Sequence, residues 1–190
     1  LGAWSALPHE KPPEPLDMPL PTGGGLRNAA PAYEVGDLTL EHHFLESSPM
    51  RVSALRSLGA HANVFAIESL MDELSDASGQ DPLAFRLKHL ADPRARHVLQ
   101  KVSEMSNWHS RGDAGTGIGY GMAYARYKNK AGYCALVAQV EVSERVKVLK
   151  VWACVDAGHV VHADGLRNQI EGGILQAISW SLLESVRWSG

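Results

Sequence analysis

The sequence lacks the features that mark nucleic-acid-binding and membrane-spanning proteins. Its 18 lysines and arginines are outnumbered by 21 acidic residues, which gives a formal net charge of -3. A chain without a basic excess cannot neutralise a run of nucleic-acid phosphates, so nucleic acid is not expected as a partner. Apolar runs such as residues 135–138 are far shorter than the roughly 20 residues that cross a bilayer. We therefore expect a soluble chain, located in either the cytoplasm or the periplasm.

Cysteine and N-terminal signals are equally scarce. The two cysteines, Cys134 and Cys154, lie in apolar runs and form no CxxC pair, so zinc or iron-sulfur ligation is not predicted. We expect both to be buried, small apolar side chains. The chain begins with Leu1, and residues 1–6 lack the basic and then apolar order of a signal peptide. We expect it to be a segment of a longer protein.

Prolines are concentrated near the N-terminus. Seven of the ten lie between Pro8 and Pro31, and three glycines follow the densest run. Because these residues deny the backbone helix or ladder hydrogen bonds, residues 1–36 are predicted to be an extended arm or linker. The arm is either disordered or laid over a partner surface. Residues 37–190 form the predicted globular part, with one half-buried strand expected from the alternation in residues 37–44.

Helical periodicity and capping residues place the helices. Apolar residues spaced by three or four predict a helix from Asn63 that ends near Gly79. Asp81-Pro82 and Asp92-Pro93 each offer a carboxylate N-cap followed by proline at the first helical position. Asp164 is predicted to cap the last helix, which carries an apolar stripe. Three further residues share another side of that helix: Gln169, Gly172 and Gln176.

The segment between the helices alternates with the period of a strand. Residues 118–125 alternate larger and very small side chains, and residues 133–142 and 146–155 are rich in β-favouring residues around polar turns. We predict a three-stranded antiparallel meander. The fold class is therefore α+β, an antiparallel β-meander with packed helices.

Several motifs have both a functional and a structural interpretation. The glycine-rich run 115–121 lacks the spacing and the following helix of a dinucleotide loop, so close packing is favoured. His159 and His162 after Asp156 suggest a metal-binding protein, although the spacing is loose and common. No serine stands in a nucleophile context, so a hydrolase is not supported.

The glycine pair Gly172-Gly173 and Arg56 are better candidates for a ligand site. Each glycine costs a helix interior roughly 1 kcal/mol relative to alanine, so a compensating contact is expected. That contact is either close helix packing or a ligand that approaches the backbone near a helix N-terminus, where anions are favoured. Arg56 places a fork-shaped cationic donor beside small residues in a loop, which also suits an anion.

Three stretches together resemble one enzyme family. They are residues 54–60 running into 65–74, residues 81–87 with 92–96, and residues 156–158 through 168–173. In order and spacing they resemble the molybdopterin-binding large subunit of the xanthine oxidase and aldehyde oxidase family, most closely its isoquinoline 1-oxidoreductase branch. The resemblance covers residues 27–187 and implies that residues 37–190 are part of a larger molybdopterin-binding domain.

The resemblance implies a molybdenum-dependent hydroxylase or dehydrogenase. Such enzymes oxidise N-heterocycles or aldehydes with water as the source of oxygen. The cofactor would be molybdopterin, in its cytosine dinucleotide form, bound in the full-length protein and not necessarily by this segment. The implied partners are the remainder of the large subunit, an iron-sulfur small subunit and a small N-heterocyclic or aldehyde substrate.

The resemblance also assigns roles to individual positions. Arg56 matches the family's active-site arginine, and Leu58 stands where a substrate-stacking phenylalanine occurs in xanthine oxidase. Gln169 matches a glutamine that contacts the cofactor near molybdenum. The small residues Gly59, Ala60 and Gly172 would admit pterin or metal ligands.

The family's catalytic base has no counterpart in this sequence. That glutamate follows a glycine in a C-terminal motif, and neither Glu68 nor Glu171 matches it, so the base is expected beyond Gly190. A carbon-oxidising site needs a base, and the isolated segment is therefore expected to be inactive. The alternative hypothesis is a non-catalytic α+β assembly module that docks partners through its proline-rich arm.

Overall fold

The residues that the structure describes form four helices and one sheet. The computed structural model describes residue 16 and residues 24–47, 55–112 and 117–187. The elements in chain order are α1 (Ala60–Ala77), α2 (Pro82–Lys88), α3 (Pro93–Met105), β1 (Ile118–Arg126), β2 (Tyr133–Val142), β3 (Val146–Asp156) and α4 (Ala163–Leu182). Short 3-10 turns occupy Trp108–Ser110 and Tyr127–Asn129. The predicted α+β class is confirmed.

The three strands form an antiparallel meander in the order β1, β2, β3, as predicted. Met122 pairs with Val137 and Tyr124 with Ala135, which fixes the face of each strand because side chains alternate. The register shifts between Gln139 and Val140, where the β2–β3 ladder is irregular. Polar turn residues and alternating apolar residues therefore define this sheet as the sequence indicated.

One face of the sheet and helix α3 form the core. The side chains of Val98, Leu99 and Val102 are at most 1% exposed, and they meet the face of β2 that carries Ala135 and Val137. Burying an aliphatic side chain of this size contributes about 1.5–3 kcal/mol. This packing holds α3 against the sheet.

The carboxylate caps that the sequence predicted for α2 and α3 are confirmed. Asp81 accepts hydrogen bonds from the amides of Leu83 and Ala84, and Asp92 accepts one from the Arg94 amide. These bonds satisfy amides that have no partner within the helix.

The predicted beginnings of the other two helices were wrong. Helix α1 begins at Ala60, three residues before Asn63. Helix α4 is capped by His162, whose Nδ1 accepts the Gly165 amide at 2.7 Å, while Asp164 lies inside the first turn. An uncharged imidazole nitrogen has the lone pair that a cap requires, although histidine is not among the common N-cap residues.

The strand predicted for residues 37–44 does not form. Leu38, Leu40 and Phe44 are exposed, and no described strand pairs with this segment. Alternation alone does not make a strand, because an unpaired strand leaves its backbone groups without ladder partners.

The two cysteines, which the sequence predicted to be buried, are half-buried free thiols: Cys134 and Cys154. Burial raises the pKa of Cys134 to about 11.

The described end of the predicted arm packs on the domain itself. Asn63 donates from its side chain to the carbonyl oxygens of Gly25 and Arg27 at 2.8 and 2.9 Å. Asn28 bonds to the β1 carbonyl of Arg126, and Tyr33 is only 5% exposed. The arm and linker prediction covers residues 1–36, of which 1–15 and 17–23 lie outside the described residues.

Helix α4 lies beside the opposite face of the sheet. None of its residues is fully buried, and a groove of about 610 Å³ separates its apolar side, Leu166, Ile170 and Ile174, from Val151 and Ala153 of β3. The described chain contains no helix long and apolar enough to cross a membrane.

Candidate functional site

Arg56 reaches from the loop before α1 to the side of α4. Its Nη2 donates to the backbone oxygen of Gln169 at 3.0 Å and to the side-chain Oε1 of Gln169 at 3.2 Å. Its Nη1 donates to Oε1 of Gln176 at 3.3 Å. A guanidinium carries a fixed fork of donors, so one side chain can hold both glutamines. The loop and the helix that the sequence singled out thus meet in space.

The loop that carries Arg56 has an unusual backbone. Ser57 and Leu58 have φ of +71° and +54°, in the left-handed region that most side chains avoid. The Leu58 amide bonds to the Leu55 carbonyl, and the Gly59 amide bonds to the Gly24 carbonyl at 3.1 Å. These bonds hold the turn that aims Arg56 at α4.

One face of α4 receives Arg56. Gln169, Gly172, Gly173 and Gln176 follow the i, i+3, i+4, i+7 spacing of a helical face. A Cβ added to Gly173 would lie 3.6 Å from Arg56 Nη2, and one added to Gly172 would lie 4.0 Å from Nη1. The guanidinium therefore lies over the two glycines, with one glutamine on each side. We call these four residues the Gln/Gly face.

Neither explanation that the sequence offered for the glycine pair describes this contact. Gly172 and Gly173 are the tenth and eleventh of the 20 residues of α4, so they are far from its N-terminus. Amides in a helix interior donate to carbonyls one turn earlier and are not free to bind an anion. Among the described residues no neighbouring helix packs on the pair, and a guanidinium lies there instead.

A second contact joins the same two elements. The rings of His61 in α1 and Trp180 in α4 meet edge to face, with centroids 4.9 Å apart and an interplanar angle of 78°. Edge-to-face pairs are a favoured aromatic geometry. Together with Arg56, this pair fixes α4 at two points along its length.

Similarity to known proteins establishes the family of the chain. Residues 53–190 match the family model described as the molybdopterin cofactor-binding domain, which is well over half of the chain. The chain belongs to the molybdopterin cofactor-binding domain family.

Relatives of this molybdopterin cofactor-binding domain include components of large oxidoreductases. It is 40% identical over 141 residues to the beta subunit of isoquinoline 1-oxidoreductase from Brevundimonas diminuta, covering 72% of this chain and 18% of the relative. It is 37% identical over 191 positions to a subunit of nicotinate dehydrogenase from Pseudomonas putida, covering 86% and 16%. The predicted resemblance to the xanthine oxidase family is confirmed.

A more distant relative carries a different cofactor in its name. The membrane-bound aldehyde dehydrogenase [pyrroloquinoline-quinone] of Gluconacetobacter polyoxogenes is 27% identical over 174 residues, covering 80% of this chain and 22% of the relative. The chain thus spans between 16% and 22% of the length of these three relatives.

The structure brings together only part of the predicted site of the molybdopterin cofactor-binding domain. Arg56, Gln169 and Gly172 meet, as described above. A Cβ on Gly59 would lie 2.0 Å from the Gly24 carbonyl oxygen. Glycine at position 59 therefore makes room for the backbone of Gly24. Ala60 is 6% exposed at the first residue of α1.

Leu58, the predicted substrate-contacting residue, lies next to Gly24. It is half-buried, and its Cβ lies 3.6 Å from where a Cβ on Gly24 would stand. This places Leu58 against the described end of the arm. Its predicted role in substrate contact stays a prediction.

Gln176 is one of the contact residues that sequence reasoning missed. Its position on the same helix side as Gln169 and Gly172 was visible from the spacing, yet no ligand role was assigned to it. The signal that singles it out is structural, because Arg56 comes from 120 residues away in sequence. His61 and Trp180 were missed for the same reason.

Glu68 is enclosed in the core. Its carboxylate accepts from Tyr33 Oη at 2.8 Å, Arg86 Nε at 3.0 Å and the Tyr124 amide at 2.9 Å. Burial raises the pKa of this carboxyl, opposed by the charge of Arg86 and by the hydrogen bonds. Glu68 is 6% exposed and joins α1, α2 and β1, which gives it a structural role.

The histidine-based metal hypothesis gains no support. Both carboxylate oxygens of Asp156 accept from Arg94, and His162 Nδ1 is used as the helix cap. Among the described residues, no group of three metal-ligating side chains is assembled.

Proposed function

We propose that this chain forms part of the cofactor pocket of a molybdenum-dependent oxidoreductase. The observation that carries the proposal is the convergence of Arg56 with Gln169 and Gly172 on one face of α4. All three positions were selected by family resemblance, and Arg56 and Gln169 are 113 residues apart in sequence.

The donor set of the Gln/Gly face fits an anionic cofactor. Arg56 and the side-chain amide of Gln169 carry N–H donors, and the lack of side chains at the two glycines lets the guanidinium lie close to the helix surface. Oxygen-rich anions such as phosphate and metal-oxo groups accept from donors of this kind. Gln169, Arg56 and the Gly172 surface would therefore hold molybdopterin, which we propose is the cytosine dinucleotide form.

When bound, molybdopterin supplies the molybdenum centre at which an electron-poor carbon is oxidised with oxygen from water. The chain's own contribution is to bind and orient the cofactor with preorganised N–H donors. We propose an N-heterocycle or an aldehyde as the substrate class, supported by the names of the relatives. The proposed partners are the remainder of the large subunit and an iron-sulfur small subunit.

We propose that residues 1–190 do not supply the catalytic base. Glu68 is enclosed by three donors in the core, and Glu171 is an exposed residue of α4 that does not match the family's base motif. A base must reach the reacting proton. The chain alone is therefore expected to be inactive.

The complete subunit provides the test. Gln169→Ala should lower the molybdenum and pterin content per polypeptide, because loss of an orienting contact typically weakens metal binding about 10–100-fold. Gln100→Ala, at an exposed position of α3, is the matched control and should leave the content at the wild-type level. Equal cofactor content in both variants would refute the proposed site.

The assembly-module hypothesis has less support from the described residues. The end of the arm, residues 24–33, bonds to Asn63, Arg126 and Glu68 of the same chain. These hydrogen bonds hold the described part of the arm against its own domain. The cofactor hypothesis accounts for Arg56 and the Gln/Gly face, which the alternative leaves unexplained.

A further inference from the structure

Arg56 restricts how the two glutamine side chains can lie. A guanidinium has donors and no acceptor, whereas a glutamine amide has one accepting oxygen and one donating NH2 group. Each glutamine must therefore meet Arg56 through its oxygen, as Oε1 of Gln169 and Oε1 of Gln176 do at 3.2 and 3.3 Å. The orientation follows from the chemistry of the donor.

The NH2 groups are consequently left for another acceptor. With Oε1 turned to Arg56, the two N–H bonds of each amide point away from it. Among the described residues, neither Nε2 of Gln169 nor Nε2 of Gln176 donates a hydrogen bond. The two amides stand seven residues apart, two helical turns, with Gly172 and Gly173 between them. Four N–H donors therefore lie at the two ends of the glycine strip, over which the Arg56 guanidinium lies.

We propose that Gln176 is a second amide donor to the ligand of the Gln/Gly face, and that Arg56 is the positioning residue that turns both amides outward. This inference rests on the proposed function and extends it to a residue that the family resemblance did not assign. The ligand class is an anion with several oxygen acceptors, as in the phosphate and metal-oxo groups of the proposed cofactor.

A glutamate at position 176 separates this role from a structural one. In the Gln176→Glu variant a carboxylate oxygen still accepts from Arg56, and the bond becomes charge-assisted. The same change removes both N–H donors and adds a negative charge toward the ligand. If Gln176 only joined the helix to the loop, the substitution would be neutral or stabilising.

The experiment compares three glutamate variants of the complete subunit: Gln176→Glu, Gln169→Glu and Gln100→Glu. We expect the first two to lose about tenfold or more in molybdenum and pterin retention, since a hydrogen bond to a charged group is of that size. Their thermal unfolding temperature without cofactor should equal or exceed that of wild type. Gln100→Glu adds the same charge on α3 and should change neither quantity.

The outcomes distinguish the inference from the proposed function. If Gln169→Glu lowers cofactor content and Gln176→Glu does not, the inference is overturned and the proposed site stands. If neither lowers it, the proposed site fails as well. If Gln176→Glu lowers the unfolding temperature in step with cofactor content, its role is structural and the inference is overturned.

The positioning role of Arg56 has its own test. Arg56→Met removes the donors while keeping an extended side chain, so both amides lose their fixed orientation. If Arg56 acts through the amides, the cofactor loss of the Arg56→Met, Gln176→Glu double variant should fall short of the product of the two single losses. Fully multiplicative losses would show that Arg56 acts independently of Gln176 and would overturn the positioning role.

Discussion

Arg94 and Asp156 form a two-bond ion pair that joins the first turn of α3 to the end of β3. Arg94 Nε and Nη2 each lie 2.7 Å from one carboxylate oxygen of Asp156. Asp156 also accepts the Gly158 amide at 2.9 Å, where the chain turns toward α4 with φ of +72° at Gly158. The pair thus fixes both the sheet edge and the direction in which α4 departs.

This ion pair predicts a defined dependence of stability on pH. The hydrogen bonds from Arg94 and Gly158 lower the pKa of Asp156 from 3.8 to about 2. Because the folded-state pKa is depressed, the stabilisation is complete above the unfolded pKa and is lost as pH falls from about 4 to about 2. We expect Asp156→Asn to lower the thermal unfolding temperature near neutral pH, and the difference from wild type to shrink across that window.

The control for this prediction is Glu144→Gln in the β2–β3 turn. Glu144 is exposed and makes no side-chain bond among the described residues. Its replacement should leave the unfolding temperature near the wild-type value at neutral pH. A difference between wild type and Asp156→Asn that stays constant from about pH 5 to about pH 2 would contradict the role of the pair.

Gly172→Ala is expected to stabilise the fold while weakening cofactor binding. The added Cβ would lie at an ordinary contact distance of 4.0 Å from Arg56, so helix α4 should gain about 0.5–1 kcal/mol in free energy of unfolding. The same methyl group would project into the glycine strip between Gln169 and Gln176, beside the Arg56 guanidinium. Urea unfolding of the chain measures the first effect, and molybdenum content of the complete subunit measures the second. Undiminished molybdenum content would show that the strip is not used.

Gly59→Ala should destabilise the chain. A Cβ at this position would lie 2.0 Å from the Gly24 carbonyl oxygen, so the backbone of one segment must shift. Overpacking of this kind typically costs about 1–3 kcal/mol, which urea unfolding would detect. Gly121→Ala in β1 is the control, because its Cβ would meet nothing within 4 Å and stability should be unchanged or raised. Equal stability of the two variants would contradict the close approach at Gly59.

Glu68→Ala is predicted to be the most destabilising of these substitutions. It would leave the buried guanidinium of Arg86, whose side chain is 0% exposed, without its principal partner. Removing one member of a buried ion pair costs about 3–5 kcal/mol. Asp72→Asn tests the outer contact of the same arginine, where the acidic side chain is 49% exposed, and should cost much less. Urea unfolding of both variants checks the order, and the reverse order would be inconsistent with the network.

Local signals predicted most of the fold, and long-range contacts account for what they missed. The Asp-Pro caps of α2 and α3 and the limits of β2 depend on neighbouring residues, which the sequence displays directly. Residues 37–44 carried the alternation of a strand, but a strand also needs a partner, which alternation cannot supply. The cap of α4 was misassigned because histidine rarely takes that position.

The same difference between local signals and long-range contacts applies to the candidate site. No spacing rule connects Arg56 to Gln169, since their contact is made across 113 residues by the tertiary fold. Family resemblance selected both residues without indicating that they bond to each other. Gln176 belongs to no sequence motif. Only the tertiary structure links it to the candidate site, through its hydrogen bond from Arg56.

Helix α4 buries none of its residues fully, whereas α3 is anchored by Val98, Leu99 and Val102. A helix without a fully buried residue opens at a smaller free-energy cost than one seated in the core. Amide hydrogens of α4 will therefore exchange with solvent sooner than those of α3. Any ligand that bridges Arg56 to the glutamines slows that exchange, so occupancy can be followed through the backbone of a single helix.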